Sequence, residues 1–258
     1  MKYMTIGLKR VVSLALLPID DFTDQIITGS QLRVYAMEGN ISSIRKSDGY
    51  HIFCDLSGGE VEICLEGPLY QKRILRLPIV QGKPKVCQVR MLPAACYPLP
   101  RGTTIVSGIL PMGTAIRLFL PGKKRGCKLL QDYDPGIQGE ELSLFLPCER
   151  SFLGKLMCVC GKERDLEFFR VIDQKGNICI AEHALSKGYQ RTGTNVYPVN
   201  EASVGEDGSF YLPVGGLAGE ETCICILTEA NGEEKRCEIM LTAGKENRIT
   251  EDIWKEGS

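Results

Sequence analysis

The chain has 258 residues, 43% of them hydrophobic and 24% charged, with 31 Lys and Arg against 32 Asp and Glu for a formal net charge of −1. That length fits one large or two to three small domains with well-filled cores, and the composition excludes wholesale disorder. The balanced charge speaks against nucleic acid as a partner, because such binders carry a basic excess or a basic stripe.

The chain opens MKYMTIGLKRVVSLALLPIDD. Its apolar run is short, is interrupted by Ser13 and precedes no small-x-small cleavage site, so it reads as a strand and not as a secretory leader. QLRVYAME supplies a second strand. The stretch SDGYHIFCDLSGGEVEICLEG at 47–67 then reads as a hairpin. Asp48-Gly49 is a tight-turn signal, and Gly58-Gly59 turns the chain again. Tyr50, Ile52 and Cys54 alternate with His51, Phe53 and Asp55, which places His51 on an outer face; Val61, Ile63 and Leu65 alternate with Glu60, Glu62 and Glu66. QKRILRLPI and KVCQVRMLP follow. Residues 1–92 therefore read as one β-sandwich.

Residues 93–104, PAACYPLPRGTT, read as an extended proline-rich linker, since proline cannot donate to a ladder. TIVSGIL, TAIRLFLP, ELSLFLP and GKLMCVCG, punctuated by PMG and DPG, give a second, weaker sandwich at 105–165. The basic run GKKRG within it reads as a solvated loop. A third sandwich at 166–250 holds RDLEFFRVID, NICIAEHAL, TNVYPVN, a ragged copy of the opening motif in EDGSFYLPVGGLAGEETCICI, and KRCEIMLTAG. Helix-period runs are nearly absent, the best being CIAEHALSKG. Residues 251–258 form a charged tail with the single Trp254; the chain from Lys245 onward reads as a free segment and a docking peptide. No stretch approaches the ~20 apolar residues of a membrane span.

Twelve cysteines are an unusual load. Disulfide frameworks belong to small secreted domains, so these read as reduced thiols made and kept in the cytoplasm. No C-x2-C pair of the zinc type occurs. The two C-x-C pairs, Cys158/Cys160 and Cys223/Cys225, put both thiols of each pair on one strand face. Aligning the two motif copies sets Cys223 on Ile63 and Cys225 on Leu65, inward positions, so the thiols read as small hydrophobes in a sandwich core; the alternative is a four-thiolate zinc site. No catalytic residue, cofactor site or metal site is assigned. His51 and His183 are the only histidines, no nucleophile elbow, phosphate loop or H-E-x-x-H occurs, and Glu140/Glu141 and Glu233/Glu234 read as solvated turns. The chain is not read as an enzyme. The aromatics Tyr50, Phe53, Phe168, Phe169, Phe210 and Tyr211 read as packing.

The pattern D-G-x-aromatic-x-apolar, then a glycine turn and an alternating apolar strand, resembles the carboxypeptidase regulatory-like domain and its transthyretin-like and Cna-B-like relatives. The resemblance implies an all-β chain of tandem Ig-like (transthyretin-like) sandwiches. The Lys–Asn isopeptide of Cna-B-type domains has no counterpart here, since Lys9 looks exposed, residues 60–92 hold no Asn, and Asn247 has no lysine partner in sight. The run VCQVRMLPAACYPLPRGTTIVSGIL is similar to a junction in such proteins encoded beside phage tails and contractile injection systems, matching at Leu92, Pro93, Tyr97, Pro98, Pro100, Gly102, Thr103, Thr104 and Gly108. That implies a structural or adaptor component of a phage-tail-like particle, assembled in the cytoplasm and carried on a released particle. Its partners would be protein subunits, copies of itself among them, with neither nucleic acid nor a membrane span involved. A binding or adhesion module for a carbohydrate or protein ligand is the alternative.

Overall fold

A computed structural model of the chain describes residues 10–122, 126–145, 151–162 and 165–249. Among them the only helices are a 3-10 turn at Glu38–Asn40 and an α-helical turn at Pro135–Gln138, capped by the Asp134 carboxylate accepting from the Gly136 N–H at 2.8 Å. The segment CIAEHALSKG is strand and turn instead of helix. Two units meet between Tyr97 and Pro98.

The first unit contains β1 (Val12–Asp20), β2 (Arg33–Ala36), β3 (Ile41–Ser42), β4 (Ile44–Arg45), β5 (His51–Cys54), β6 (Gly59–Gly67), β7 (Tyr70–Ile79) and β8 (Lys85–Met91). They form two four-stranded sheets, ordered β4-β5-β1-β8 and β3-β2-β6-β7. Strand β1 runs antiparallel to β5 and parallel to β8. The period-two apolar positions close on each other: Leu14 and Leu16 from β1, Phe53 from β5 and Ile63 and Leu65 from β6 share one core. The expected 47–67 hairpin is not one. Strands β5 and β6 lie in different sheets, so Gly58-Gly59 carries the chain across the sandwich. The same alternation serves either arrangement, because it fixes which face is apolar and not which strand is the neighbour. His51 is likewise corrected: it is buried beside Phe53 on the inward face, where its Nδ1 lies 2.8 Å from the Ser43 hydroxyl.

The first part of the expected linker belongs to this unit. The Ala94 N–H donates to the Leu69 carbonyl, Tyr70 bridges to Pro93, and the Tyr97 hydroxyl donates to the buried Asp20 carboxylate at 2.5 Å. Asp20 also accepts from the Tyr70 hydroxyl at 2.9 Å and from the Phe22 and Thr23 N–H groups. Four donors satisfy a carboxylate that would otherwise be costly to bury.

The second unit contains β9 (Thr104–Ile109), β10 (Ala115–Phe119), β11 (Cys127–Leu129), β12 (Glu141–Phe145), β13 (Leu156–Cys160), β14 (Leu166–Lys175), β15 (Ile178–Ala181), β16 (Asn195–Pro198), β17 (Asn200–Ser203), β18 (Ser209–Val214), β19 (Glu220–Thr228), β20 (Glu234–Thr242) and β21 (Glu246–Ile249). Its sheets differ from two successive sandwiches at 105–165 and 166–250. Strands β9 and β10 join the last five strands in a single sandwich, with sheets β18-β9-β21 and β17-β10-β19-β20. Strands β11–β16 close into a separate antiparallel barrel, ordered β11-β12-β15-β14-β13-β16. The barrel is inserted between β10 and β17. Strand β21 also corrects the reading of a free segment from Lys245: Glu246–Ile249 pairs parallel with β9, and Ile249 is buried. Trp254 lies outside the described residues, as do Lys9 and most of the basic run at 122–126.

Pairing shows that the two sandwiches are one design. Strand β9 is antiparallel to β18 and parallel to β21, as β1 is to β5 and β8; β19 lies between β10 and β20 as β6 lies between β2 and β7. The second motif copy is thus also a crossing between sheets, from β18 to β19. Both crossings begin at the same turn: Gly49 (φ 93°) and Gly208 (φ 77°) take the left-handed conformation, and Asp48 and Asp207 each accept from the backbone N–H two residues on.

Candidate functional site

The inserted barrel packs its outer face on the outer face of the sandwich sheet that contains β10 and β19. Strand β13 serves both sides, with Met157 and Val159 in the barrel core and Leu156 and Cys158 in the seam. Strand β19 does the same, with Cys223, Cys225 and Leu227 in the sandwich core and Ile224 and Ile226 in the seam. Strands buried on both faces read as unbroken apolar runs, which is why LMCVC and TCICIL show no alternation. Phe119 stacks on Tyr197 at 5.6 Å inside this seam. Arg170 of β14 clamps Glu201 of β17 with two 2.9 Å hydrogen bonds.

At one end the seam opens into a cleft of about 700 Å³. Its floor is Leu156, Leu166, Phe168 and Ile226, and its rim carries Arg117, Arg236 and His183 against Asp165, Glu167, Glu182 and Glu234. Arg117 lies over the Phe168 ring at 4.8 Å and 3.7 Å from Glu234. Glu167 is held by the Tyr189 hydroxyl at 2.9 Å and the Ser186 N–H, and Asp165 pairs with Lys187 at 2.6 Å. A smaller neighbouring cavity of about 300 Å³ starts at the same Asp165–Lys187 pair and runs past Tyr189 to Thr194. The size and the mixture of apolar floor with charged rim suit an amphipathic ligand bearing charges of both signs.

The main cleft presents carboxylates and guanidinium groups together with His183, whose charged neighbour is Glu182, 3.8 Å away at the surface. His51 lies in the other unit. Of the paired glutamates, Glu233 and Glu234 sit at the β20 hairpin among ion pairs with Lys235 and Arg117, while Glu140 and Glu141 are exposed. Phe53, Phe169 and Phe210 are core residues, Tyr50 and Tyr211 are half-buried, and Phe168 alone of the singled-out aromatics faces the cleft. The Asn247 amide accepts from the Thr242 N–H and donates to the carbonyls of Ile105, Thr242 and Lys245, tying β21 to its neighbours.

The cysteines are thiols throughout the described structure. Cys223 and Cys225 are in the sandwich core, as their alignment on Ile63 and Leu65 implies, whereas Cys158 and Cys160 belong to the seam and not to a sandwich interior. Burial pushes the Cys179 thiol up to about 11 and the Cys223 thiol up to about 12, which keeps both protonated and inert. Among the described residues no three His, Cys, Asp or Glu side chains converge as metal ligands, and no helix is long and apolar enough to cross a membrane.

No protein-family model matches the chain, and no curated protein matches it. Similar solved structures include BcpA, the major pilin subunit of Bacillus cereus, 10% identical over 91% of this chain and 69% of that one, with a TM-score of 0.25. A candidate carbohydrate-binding protein from Bacteroides uniformis is 8% identical over 89% of this chain and 98% of its own, with a TM-score of 0.27. The shaft pilin SpaA of Lactobacillus rhamnosus GG is 8% identical over 93% and 97%, with a TM-score of 0.22. Likenesses this distant carry no argument about function, and the all-β sandwich architecture stands on the strand pairing itself.

Proposed function

We propose that the chain is a non-catalytic structural or adaptor protein of a larger assembly, acting through its sandwich surfaces and edge strands. The observation that carries this reading is a pair of equivalent edges. Strands β7 and β20 are both long and stand at the ends of their sheets among the described residues, β7 meeting the chain at Leu92–Pro93 at its start and β20 pairing with β19. The end strand of a sheet is where an added strand pairs through backbone donors and acceptors. Alternate charged residues, Lys72 and Arg76 on one and Arg236 and Glu238 on the other, restrict which strand can be accepted. The junction around Leu92–Gly108 supports a phage-tail-like contractile particle as the assembly. The test is affinity purification of the native protein from its own cells followed by negative-stain microscopy. Recovery on tubular particles with sheath and tube subunits supports the reading; recovery as a bare monomer overturns it.

A second reading rests on the cleft. Its apolar floor and salt-bridged rim favour a binding module for an amphipathic glycan or peptide. A glycan and peptide array probed with the intact chain, and with Phe168→Ala as control, decides it: signal lost in the variant supports the cleft, and no signal removes this reading.

A further inference from the structure

The edge strand β20 carries an unassigned dithiol. In the β19–β20 ladder Cys225 stands directly opposite Cys237. Directly opposed residues of antiparallel strands lie about 4.5 or 5.5 Å apart at Cα and point to the same face, and both spacings fall inside the window of about 4.4–6.8 Å that a disulfide spans. Both side chains face the sandwich core, Cys225 fully buried and Cys237 half-buried at its margin. The equivalent pair in the first sandwich is Leu65 opposite Arg73, so the topology itself does not ask for two thiols there.

We propose that Cys225 and Cys237 form a reversible cross-strand disulfide, a modification site that staples edge strand β20 to β19. The partner is a small-molecule disulfide of the glutathione class. Cys237, the accessible thiol, attacks as thiolate; one S–S bond of the oxidant breaks, a mixed disulfide forms and one glutathione thiolate leaves. Cys225 then loses its proton and attacks the Cys237 sulfur, releasing the second thiolate. One disulfide is reduced to two thiols while the protein dithiol is oxidised by two electrons. The order of attack follows from exposure: Cys237 lies at the margin of the core and its interaction with Cys225 lowers its thiol, while Cys225 is raised well above the usual thiol range by the facing Cys237 and by its full burial.

Stapling would fix the strand that the functional reading uses as a docking edge, yet the disulfide stands on register and exposure alone. The test is incubation of the intact reduced protein with oxidised glutathione, then mass spectrometry of the proteolysed chain under non-reducing conditions. Expected is a loss of two hydrogens mapped to a Cys225–Cys237 link, reversed by dithiothreitol, with slowed amide exchange along Glu234–Thr242. Cys225→Ser should accumulate a stable glutathione adduct on Cys237, and Cys237→Ser should leave Cys225 unmodified. A linkage elsewhere, or a wild-type chain that stops at the Cys237 adduct or stays fully reduced, overturns the proposal. Failure here leaves the assembly test untouched, because that one reads particles and not thiols.

Discussion

The two sandwiches have the same strand order but opposite outer faces. In the first, the β2–β6 sheet turns Arg33, Tyr35, Glu62 and Glu66 outward, with Arg33 paired to Glu66 at 3.2 Å and lying 4.3 Å over the Tyr35 ring. In the second, the corresponding positions are Arg117, Phe119, Thr222 and Ile226, and most of that face is buried in the seam. The connection accounts for the change. Between β2 and β3 the first sandwich spends only Met37–Asn40 on a turn, whereas at the same place the second inserts the whole of residues 120–199 as a barrel. An inserted domain that folds back on its host converts a solvated sheet face into a second core. Arg117 keeps its arginine because it sits where the seam opens.

The sharpest way to break this comparison is to cut the equivalent aromatic from each face. Phe119→Ala removes a fully buried ring and its stacking on Tyr197, and should cost about 3–5 kcal/mol. Tyr35→Ala removes a half-buried ring that lies under the exposed Arg33, and should cost much less. Urea denaturation followed by near-ultraviolet circular dichroism measures both. Equal costs would mean that the barrel does not bury the second sheet.

The turn that starts each crossing gives a smaller contrast. An alanine at either glycine must adopt a left-handed conformation, a penalty of about 1–2 kcal/mol. At Gly208 the new Cβ meets nothing nearer than the Leu110 carbonyl at 3.3 Å, while at Gly49 it would lie 2.5 Å from the Ile26 Cγ2. Gly49→Ala should therefore lower the melting temperature further than Gly208→Ala. The reverse order would show that the two turns are not packed as equivalents.

Much of this was readable in the residues. The all-β class, nearly every strand and the inward thiols of Cys223 and Cys225 follow from period-two patterning and turn chemistry. Partnership does not. Alternation in FYLPV and in EVEICLE states which side is apolar, yet leaves a strand free to pair with its neighbour in sequence or to cross the sandwich. Nor could local pattern reveal that TIVSGIL and TAIRLFLP close with strands a whole barrel downstream. One clue was present: LMCVC and TCICIL lack alternation because each separates two cores, and two such runs in one chain mark a seam. The cleft was hidden for the same reason, since its walls come from strands far apart in sequence.

The last contrast is the inward position after the D-G turn, His51 in the first sandwich and Phe210 in the second, both buried. Burial, with the Arg45 charge adding to it, holds His51 below the ordinary histidine range, so the folded chain favours the neutral ring. The unfolded chain takes up a proton near pH 6.5. Below that pH protonation favours the unfolded state, and the stability present above it is lost as pH falls through the lowered folded value. The first unit should therefore weaken through His51 as pH falls below about 6.5, as a fall in its urea midpoint. His51→Phe, which copies Phe210, should flatten that decline and leave the second unit's transition unchanged. A decline of the same size in the variant would assign the acid sensitivity to other groups and remove His51 as the feature that separates the two sandwiches in their response to pH.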